Sequence, residues 1–202
     1  MGSQEQRPYF ETVTSFADVP ITDDGVVTRP FLEASDGLVK LFDLLGSGLW
    51  AFVQNDIKSN ISGVRDRFEG NEPRSGTLEE LVLAEAADGH RYATQCLVRL
   101  VRGLTFLCRA LQHMQAEQSL EMHACFKRAY DEVLRHQHGF VVRSLAMVAV
   151  RAAPARSDFI GRVSQGSSGE TFDRELNRWL SGLAEIAQHT RSFLEQGGHG
   201  KV

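Results

Sequence analysis

The stretch from Arg91 to His113 is the most apolar segment of the chain and places the strongest constraint on its fold. Apolar side chains recur there at helical spacing and cover most of the circumference of the predicted helix: Leu97, Val98, Leu100, Val101, Leu104, Leu107, Cys108 and Leu111. The polar positions Gln95, Arg99, Arg102 and Arg109 are three or four residues apart and form one narrow charged stripe. A helix with this pattern buries most of its surface against other elements.

Further helices are predicted on both sides of this segment. Apolar residues at helical spacing indicate helices over about 30–45, 49–68, 120–135, 138–150 and 171–193, and Thr77-Leu-Glu-Glu80 is a capping-box pattern that opens a short one. Turn residues at 46–48, 69–76, 154 and 166–169 separate them. We find no β-hairpin signal and no internal repeat. The sequence therefore predicts an all-α fold of about eight helices.

The length of the chain and its distribution of turn residues predict its organisation. A chain of 202 residues fits a single domain with a sizeable core. Residues 1–28 are polar and rich in turn residues, and we interpret them as an N-terminal arm laid over the domain. Residues 29–196 form the helical domain, and the glycine-rich residues 197–202 form a flexible C-terminal tail.

Composition excludes several classes of function. The formal net charge of -4 provides no global basic field, so we expect no nucleic-acid partner. The three cysteines lack the ligand spacing of a zinc site, and we expect buried reduced thiols with no metal and no cofactor. The N-terminal residues contain no apolar signal region, and the longest uninterrupted apolar run, Leu145 to Val150, is too short to span a bilayer. We expect a soluble, cytoplasmic protein.

Asp56 and Asn60 form a polar pair inside an apolar helical stretch. A spacing of four residues places both side chains on one face of the helix, one turn apart. A carboxylate accepts hydrogen bonds while an amide both donates and accepts them, so together they can hold a hydroxyl-rich or amide-bearing head group. Spacing alone is weak evidence, because such a pair more often belongs to a solvated helix face.

Arg99 and Arg102 lie three residues apart on the apolar helix. An arginine in such surroundings needs an acidic partner, an anionic ligand or a route by which its guanidinium reaches water. For Arg102 taken alone, a structural ion pair or a side chain extended to water is the more frequent explanation. A lone histidine at a helix corner, such as His138, is likewise more often structural.

Several blocks of this sequence resemble the glycolipid transfer protein family. Residues 31–47, 97–106, 138–143 and 153–159, together with Asp56 and Asn60, have the order and spacing of that family. The resemblance runs from about Phe31 to Phe159 and continues more weakly into the last helix. It implies a two-layer helical sandwich that encloses a lipid cavity, and transfer of a single sphingolipid between membranes without a metal or an energy source.

The resemblance also implies roles for individual residues. His138 would hydrogen-bond the amide carbonyl of a ceramide, and Asp56 would accept from its amide N–H. Arg99 stands where glycolipid-binding relatives carry a tryptophan that stacks on the first sugar, and where relatives that bind ceramide-1-phosphate carry an arginine. Asn60 matches the glycolipid-binding form, and Gln95 stands where phosphate-binding relatives have a second arginine. The implied head-group site therefore combines features of both kinds of relative, with Arg102 beside it. The sequence leaves both a glycolipid and ceramide-1-phosphate open as the ligand.

The aliphatic chains of such a lipid need an apolar pocket that excludes water. Candidate lining residues are Phe42, Trp50, Val53, Phe106, Val142, Leu145 and Phe159. Each of them taken singly is more often a plain core residue. Phe140 corresponds to a tryptophan that relatives use at the membrane surface, and because phenylalanine lacks the polar indole edge we expect weaker membrane docking here.

Two other classes of function remain open at this stage. The protein could be a sphingolipid sensor or scaffold that binds lipid without moving it, and residues 1–28 are the candidate segment for a protein partner. It could also be a helical interaction module with a filled core. No nucleophile elbow, phosphate-binding loop or paired-histidine motif supports catalysis, so we expect no enzyme activity. We expect a monomer that contacts membranes transiently.

Overall fold

The computed structural model describes residues 7–45 and 48–202, and within these ranges it contains eight α-helices and one short hairpin. The helices are α1 (Thr28–Leu45), α2 (Ala51–Gly70), α3 (Leu78–Ala87), α4 (Tyr92–Ala116), α5 (Met122–Val133), α6 (Phe140–Arg151), α7 (Arg156–Ser164) and α8 (Gly169–Gln196). This confirms the predicted all-α class. Of the predicted helix stop at 46–48, residues 46 and 47 lie outside the described part, and Gly48 opens a short 3-10 turn that leads into α2.

Helix α4 is the central element of the fold. Helices α2, α5 and α8 all pack along it, and α6 packs on α5, which gives the predicted two-layer helical sandwich. Leu97, Leu100 and Leu104 are completely buried. Arg99 and Arg109 remain exposed, so the charged stripe lies where the packing of α4 is incomplete.

Local signals explain several helix ends. Thr77 accepts a hydrogen bond from the backbone N–H of Glu80, whose side chain accepts from the backbone N–H of Thr77, and this confirms the predicted capping box. Helix α6 begins at Phe140 and not at His138, because His138 is in an extended conformation. Helix α7 is absent from the sequence interpretation, which treated residues 154–169 as a break. It fits between Pro154 and the left-handed residue Gln165.

The expectation that the chain lacks a hairpin is wrong. Two strands, β1 (Ile21–Thr22) and β2 (Gly25–Val26), pair antiparallel. They are joined by Asp23 and Asp24, and Gly25 follows with φ of 124°, a backbone conformation that favours glycine. Strands of two residues are too short to produce an alternating pattern, which is why periodicity does not reveal them.

The segment before α1 contributes to the core. Tyr9, Phe10 and Phe16 are buried, and the ring centroids of Phe10 and Phe16 lie 5.2 and 5.4 Å from that of Trp179 on α8. An arm laid over a finished domain would leave such aromatic side chains partly exposed. Residues 8–27 are therefore part of the packed body, and the boundary at residue 28 stays a prediction.

The last six residues fold back onto the domain. The imidazole of His199 stacks on the ring of Phe193 at 5.2 Å, and Arg102 Nε donates to the carbonyl oxygen of Lys201 at 3.1 Å. The backbone N–H of Val202 donates to Glu195 Oε1 at 3.2 Å. These contacts order a tail for which the glycine-rich sequence predicts flexibility.

Two further sequence expectations concern the state of the cysteines and the presence of membrane-spanning helices. Cys96, Cys108 and Cys125 are free and buried, as predicted, and burial raises the pKa of the Cys108 thiol to about 11. Within residues 7–45 and 48–202, no helix combines the length and the apolar character needed to cross a bilayer.

Candidate functional site

A cavity of about 540 Å³ opens between α2, α4 and α6, next to the corner that joins α5 to α6. Its volume lies in the range of small-molecule sites in proteins. Apolar side chains make up most of its wall: Trp50, Phe52, Val53, Ile57, Phe106, Leu134, Val142, Leu145, Ala146, Ala149 and Val150. Polar side chains complete it: Asp56, Arg99, Arg102, Tyr130, Gln137 and His138. A largely apolar cavity with a few convergent polar groups suits an amphipathic ligand.

Many of the predicted site residues meet in this one cavity. Those that line it are Asp56, Arg99, Arg102, His138, Trp50, Val53, Phe106, Val142 and Leu145. Asn60, Gln95, Phe42, Phe159 and Phe140 do not line it. The close packing of α2 on α4 brings the polar residues together: a Cβ at Gly63 of α2 would lie only 2.5 Å from Cys96 Sγ of α4.

Asn60 is buried behind Asp56. It is 3% exposed, and its Nδ2 donates to the backbone oxygen of Asp56 at 2.8 Å and to Asp56 Oδ2 at 3.2 Å. Asp56 itself is exposed to the cavity. Asn60 therefore orients the Asp56 carboxylate, and a direct contact between Asn60 and a head group stays a prediction.

The other four residues outside the cavity occupy three places. Gln95 is exposed on α4, one turn before Arg99. Phe42 and Phe159 line a closed void in the interior that is too small to hold water. Phe140 is 84% exposed on the outer surface of α6. The interior is thus packed shut around Phe42 and Phe159, and these two residues can line a hydrocarbon sleeve only if the packing there opens.

His138 is held in a defined orientation by Tyr130. The Tyr130 hydroxyl lies 3.2 Å from His138 Nδ1. Burial raises the pKa of Tyr130, so its O–H stays protonated and donates. Burial, reinforced by Arg102, lowers the pKa of His138, so the imidazole is neutral at pH 7. In the tautomer that accepts the Tyr130 O–H at Nδ1, the ring proton is on Nε2, which is then a hydrogen-bond donor for a ligand.

Arg99 and Arg102 give the polar part of the cavity a positive charge. In the described ranges, neither guanidinium has a carboxylate within the 4.0 Å limit of an ion pair. Arg102 is half-buried, and burial together with the charge of Arg99 lowers its pKa. Arg102 donates both Nε and Nη2 to the carbonyl oxygen of Lys201, so Arg99 is the residue whose forked donors can bind an anionic or oxygen-rich group, and Arg102 adds its charge.

Sequence reasoning missed several lining residues, Tyr130 among them. Tyr130 lies in the last turn of α5, eight residues before His138, and its partnership depends on the fold of the α5–α6 corner, which no pattern specifies. Ala146 and Ala149 could have been found. They continue the face of α6 that begins with Val142 and Leu145, at spacings of three and four residues.

Helix α6 presents an apolar surface beside the cavity. Its exposed residues are Phe140 (84%), Val141 (69%), Leu145 (53%) and Val148 (49%), and Phe52 of α2 (45%) lies at the same cavity. Isolated exposed apolar residues are ordinary, but a contiguous group of large ones marks a contact surface. We call Phe52, Phe140, Val141, Val142, Leu145 and Val148 the α6 surface.

Comparison with known proteins gives a consistent result. The family model described as glycolipid transfer protein matches residues 26–165. The chain is 35% identical over 187 residues to a glycolipid transfer protein of Aureobasidium melanogenum, covering 92% of both chains. It is 33% identical over 189 residues to human pleckstrin homology domain-containing family A member 8, covering 89% of this chain but only 36% of that protein.

Solved structures with the same architecture include a glycolipid transfer protein and a ceramide-1-phosphate transfer protein. The crystal structure of a fungal glycolipid transfer protein superimposes with a TM-score of 0.87 and 32% identity, covering 93% of this chain and 96% of that one. Human ceramide-1-phosphate transfer protein in complex with 12:0 ceramide-1-phosphate superimposes with a TM-score of 0.83, covering 95% and 97%. At 18% identity the second comparison establishes the fold alone.

Proposed function

Because the chain belongs to the glycolipid transfer protein family, we propose that it transfers a sphingolipid between membranes by binding one lipid molecule at a time. The head group and amide occupy the polar part of the cavity, and the hydrocarbon chains enter the interior. The protein needs neither metal nor catalysis for this. A carrier of this kind works from the aqueous phase, so we place it in the cytoplasm as a monomer.

One observation carries the proposal: Asp56 and His138 line the same apolar cavity. The Asp56 carboxylate accepts hydrogen bonds only, and the Nε2–H of neutral His138 donates one. Together they can bracket a secondary amide, with its N–H on Asp56 and its carbonyl on His138. Glycerolipids have no amide N–H at that place, so this pair selects sphingolipids by leaving Asp56 unsatisfied with the wrong lipid.

The two arginines favour a phosphate as the head group. Arg99 and Arg102 line the cavity without a carboxylate partner in the described ranges. A guanidinium binds phosphate through two parallel donors but offers a sugar no flat aromatic platform. We therefore propose ceramide-1-phosphate as the first candidate cargo. A glycosylceramide is the second, supported by the glycolipid transfer protein relatives and by Asn60.

The hydrocarbon chains must stay out of water while the lipid is carried. Exposing them would cost about 0.8 kcal/mol per methylene, and enclosing them in the protein avoids this cost, provided that the interior around Phe42 and Phe159 opens. We propose that the α6 surface contacts the bilayer during the exchange, with Phe140 as its most exposed residue. Apolar side chains at the mouth of the cavity would then enter the bilayer where the lipid leaves it.

The proposal is tested by fluorescent-lipid transfer between vesicles. One preparation of the protein is offered ceramide-1-phosphate, galactosylceramide and a phosphoglyceride in separate reactions. We expect ceramide-1-phosphate to move fastest and the phosphoglyceride not to move. If none of the three moves while circular dichroism shows a folded protein, the transfer function is wrong.

Replacing Arg99 by tryptophan is expected to change the preference for the head group. The substitution removes a phosphate ligand and introduces an aromatic surface for a sugar, so transfer of ceramide-1-phosphate should fall at least about tenfold, since a charged hydrogen bond contributes roughly 1.5–3 kcal/mol. Transfer of galactosylceramide should rise relative to it. Arg109→Trp is the control, because Arg109 is exposed on the same helix but does not line this cavity. An unchanged ratio in Arg99→Trp would remove Arg99 from the site.

Replacing Tyr130 by phenylalanine is expected to weaken the binding of every sphingolipid by about threefold to tenfold, the effect of one hydrogen bond. His138 loses the O–H that holds its proton on Nε2, so both tautomers become populated. The imidazole ¹⁵N chemical shifts report this directly. Tyr92→Phe is the control, because Tyr92 is 63% exposed and lies outside the cavity. Full affinity in Tyr130→Phe would contradict the proposed donor role of Nε2.

The alternative functions receive less support. The sensor or scaffold hypothesis relied on residues 1–28 as a free partner-binding segment, but residues 8–27 contribute Tyr9, Phe10 and Phe16 to the core. The filled-core hypothesis is at odds with the cavity of about 540 Å³. Transfer by a lipid-binding carrier is the function that the geometry supports best.

A further inference from the structure

The indole N–H of Trp50 is a buried donor without an acceptor. Trp50 is 2% exposed at the junction of the 3-10 turn and α2, and its ring centroid lies 4.7 Å from that of Phe126 and 6.0 Å from that of Phe42. Its Nε1 has no hydrogen-bond partner among the residues that the structure describes. Trp50 also lines the candidate cavity.

Such an orphaned donor calls for a physical explanation. Nearly all buried polar groups in proteins are hydrogen-bonded, and an indole N–H can only donate. The rings of Phe42 and Phe126 supply no oxygen, and neither do the neighbouring cavity residues Val53 and Phe106. Because Trp50 lines the cavity, the molecule that occupies the cavity can bring in the acceptor.

The position of Trp50 indicates which part of the ligand carries this acceptor. Trp50 precedes Asp56 by six residues, which corresponds to about 9 Å along the axis of a helix. Its ring packs against Phe42 and Phe126, which line the void in the interior. The acceptor therefore belongs to a hydrocarbon chain close to the amide, and not to the head group.

We propose that Trp50 is a specificity-determining residue that selects ceramide lipids with a hydroxyl group on a hydrocarbon chain near the amide. The hydroxyl oxygen accepts the indole N–H inside the apolar part of the cavity. This inference rests on the proposed sphingolipid function and adds to it the chemistry of the chains. All sphingoid bases share a 3-hydroxyl, so selection requires a further hydroxyl, and the two positions close to the amide are the 2-hydroxyl of the acyl chain and a 4-hydroxyl on the sphingoid base.

The chain provides a matched control in its second tryptophan. Trp179 is 1% exposed, and its Nε1 likewise lacks a partner among the described residues. It packs against Phe10 and Phe16 and does not line the cavity. Trp50→Phe and Trp179→Phe therefore remove equivalent orphaned donors, one inside the proposed site and one remote from it.

The test measures the binding of matched lipids by the full chain. Ceramide-1-phosphate is compared with its 2-hydroxyacyl and 4-hydroxysphingoid analogues, and galactosylceramide is run as a parallel series. We expect the wild-type protein to bind at least one hydroxylated analogue about fivefold more tightly, the effect of one buried hydrogen bond. Trp50→Phe should bind all members of a series equally, so the ratio of affinities between hydroxylated and non-hydroxylated lipids falls to one. Trp179→Phe should keep the preference.

Fluorescence gives an independent readout. In Trp179→Phe, Trp50 is the only tryptophan, so the emission reports its environment alone. Binding of the preferred hydroxylated lipid should shift this emission to longer wavelength relative to the non-hydroxylated lipid, because the indole N–H becomes hydrogen-bonded.

Each other outcome has a definite meaning. Equal affinities in wild type would show that Trp50 selects no additional hydroxyl, and would overturn the proposal while leaving sphingolipid binding intact. A preference that survives in Trp50→Phe would overturn it as well. If folded wild-type protein binds none of the lipids, the proposed function itself is wrong and this inference falls with it.

Discussion

Replacing Asp56 by valine is expected to lower the transfer of every sphingolipid at least about 100-fold while leaving the fold near intact. Asp56 lines the cavity as its one carboxylate and is the proposed acceptor for the amide N–H. Valine removes that acceptor and leaves the amide N–H buried without a partner. A hydrogen bond to a charged group contributes roughly 1.5–3 kcal/mol, and an orphaned buried donor costs roughly 1–3 kcal/mol more. Together these amount to roughly 2.5–6 kcal/mol, most of which lies above the 2.8 kcal/mol or so that corresponds to a factor of 100.

The fold should tolerate this substitution for a local reason. Asp56 is exposed, so its loss opens no hole in the core. Asn60 loses its bond to Asp56 Oδ2 but keeps the stronger one, in which Nδ2 donates to the backbone oxygen of residue 56 at 2.8 Å. The buried amide of Asn60 therefore stays satisfied, and we expect a change in Tm of only a few degrees.

Vesicle transfer assays with ceramide-1-phosphate and galactosylceramide measure the effect, and thermal unfolding verifies the fold. Asp66→Val is the matched control, because Asp66 is an exposed aspartate on the same helix that does not line the cavity. It should transfer both lipids at the wild-type rate. Normal transfer by Asp56→Val would remove the amide contact from the proposed mechanism, whatever head group the protein prefers.

The helices around the site are largely predictable because each is specified by its own residues. The spacing of leucines identifies α4, the capping box identifies the start of α3, and the exposure of Arg99 follows from the narrow polar stripe. The cavity is different. It arises where α4 meets α2 and α6 without filling the space between them, and this depends on distances between helices that no local pattern encodes.

Two residues show where sequence reasoning reaches its limit. Asn60 is predicted as a head-group ligand because it shares a helix face with Asp56. In the structure Asn60 is only 3% exposed, and its Nδ2 donates to Asp56 Oδ2. Phe42 is predicted to line the space for the hydrocarbon chains. In the structure it lines a small void in the interior instead. In both cases the sequence predicts the helix that carries the residue, while the depth of burial depends on which neighbouring helix packs there.

The N-terminal segment is the largest departure from expectation, and Gly182 provides its test. A Cβ at Gly182 of α8 would lie 2.2 Å from the backbone N of Ala17, 2.4 Å from its Cα and 2.6 Å from the carbonyl carbon of Phe16. All three are backbone atoms, so no side-chain rotation relieves the clash. Gly182→Ala must displace the segment that carries Phe16 away from Trp179.

We expect Gly182→Ala to destabilise the protein by about 2–4 kcal/mol, in the range of overpacked cores. For a chain of this length that lowers the Tm by roughly 5–15 °C. Gly161→Ala in α7 is the control, because nothing lies within 4 Å of a Cβ there. Alanine is the better helix former by roughly 0.5–1 kcal/mol, so the control should be slightly more stable than wild type.

The size of this effect distinguishes an arm from an integral part of the fold. If residues 8–27 only covered a finished domain, the clash at Gly182 would release them. The main unfolding transition would then stay near the wild-type Tm, and a protease would remove the N-terminal segment from an otherwise folded protein. Because Phe10 and Phe16 share one core with Trp179, we expect a single cooperative transition that moves to lower temperature as a whole. Sphingolipid transfer measured well below that temperature should remain at the wild-type rate, since Gly182 does not line the cavity.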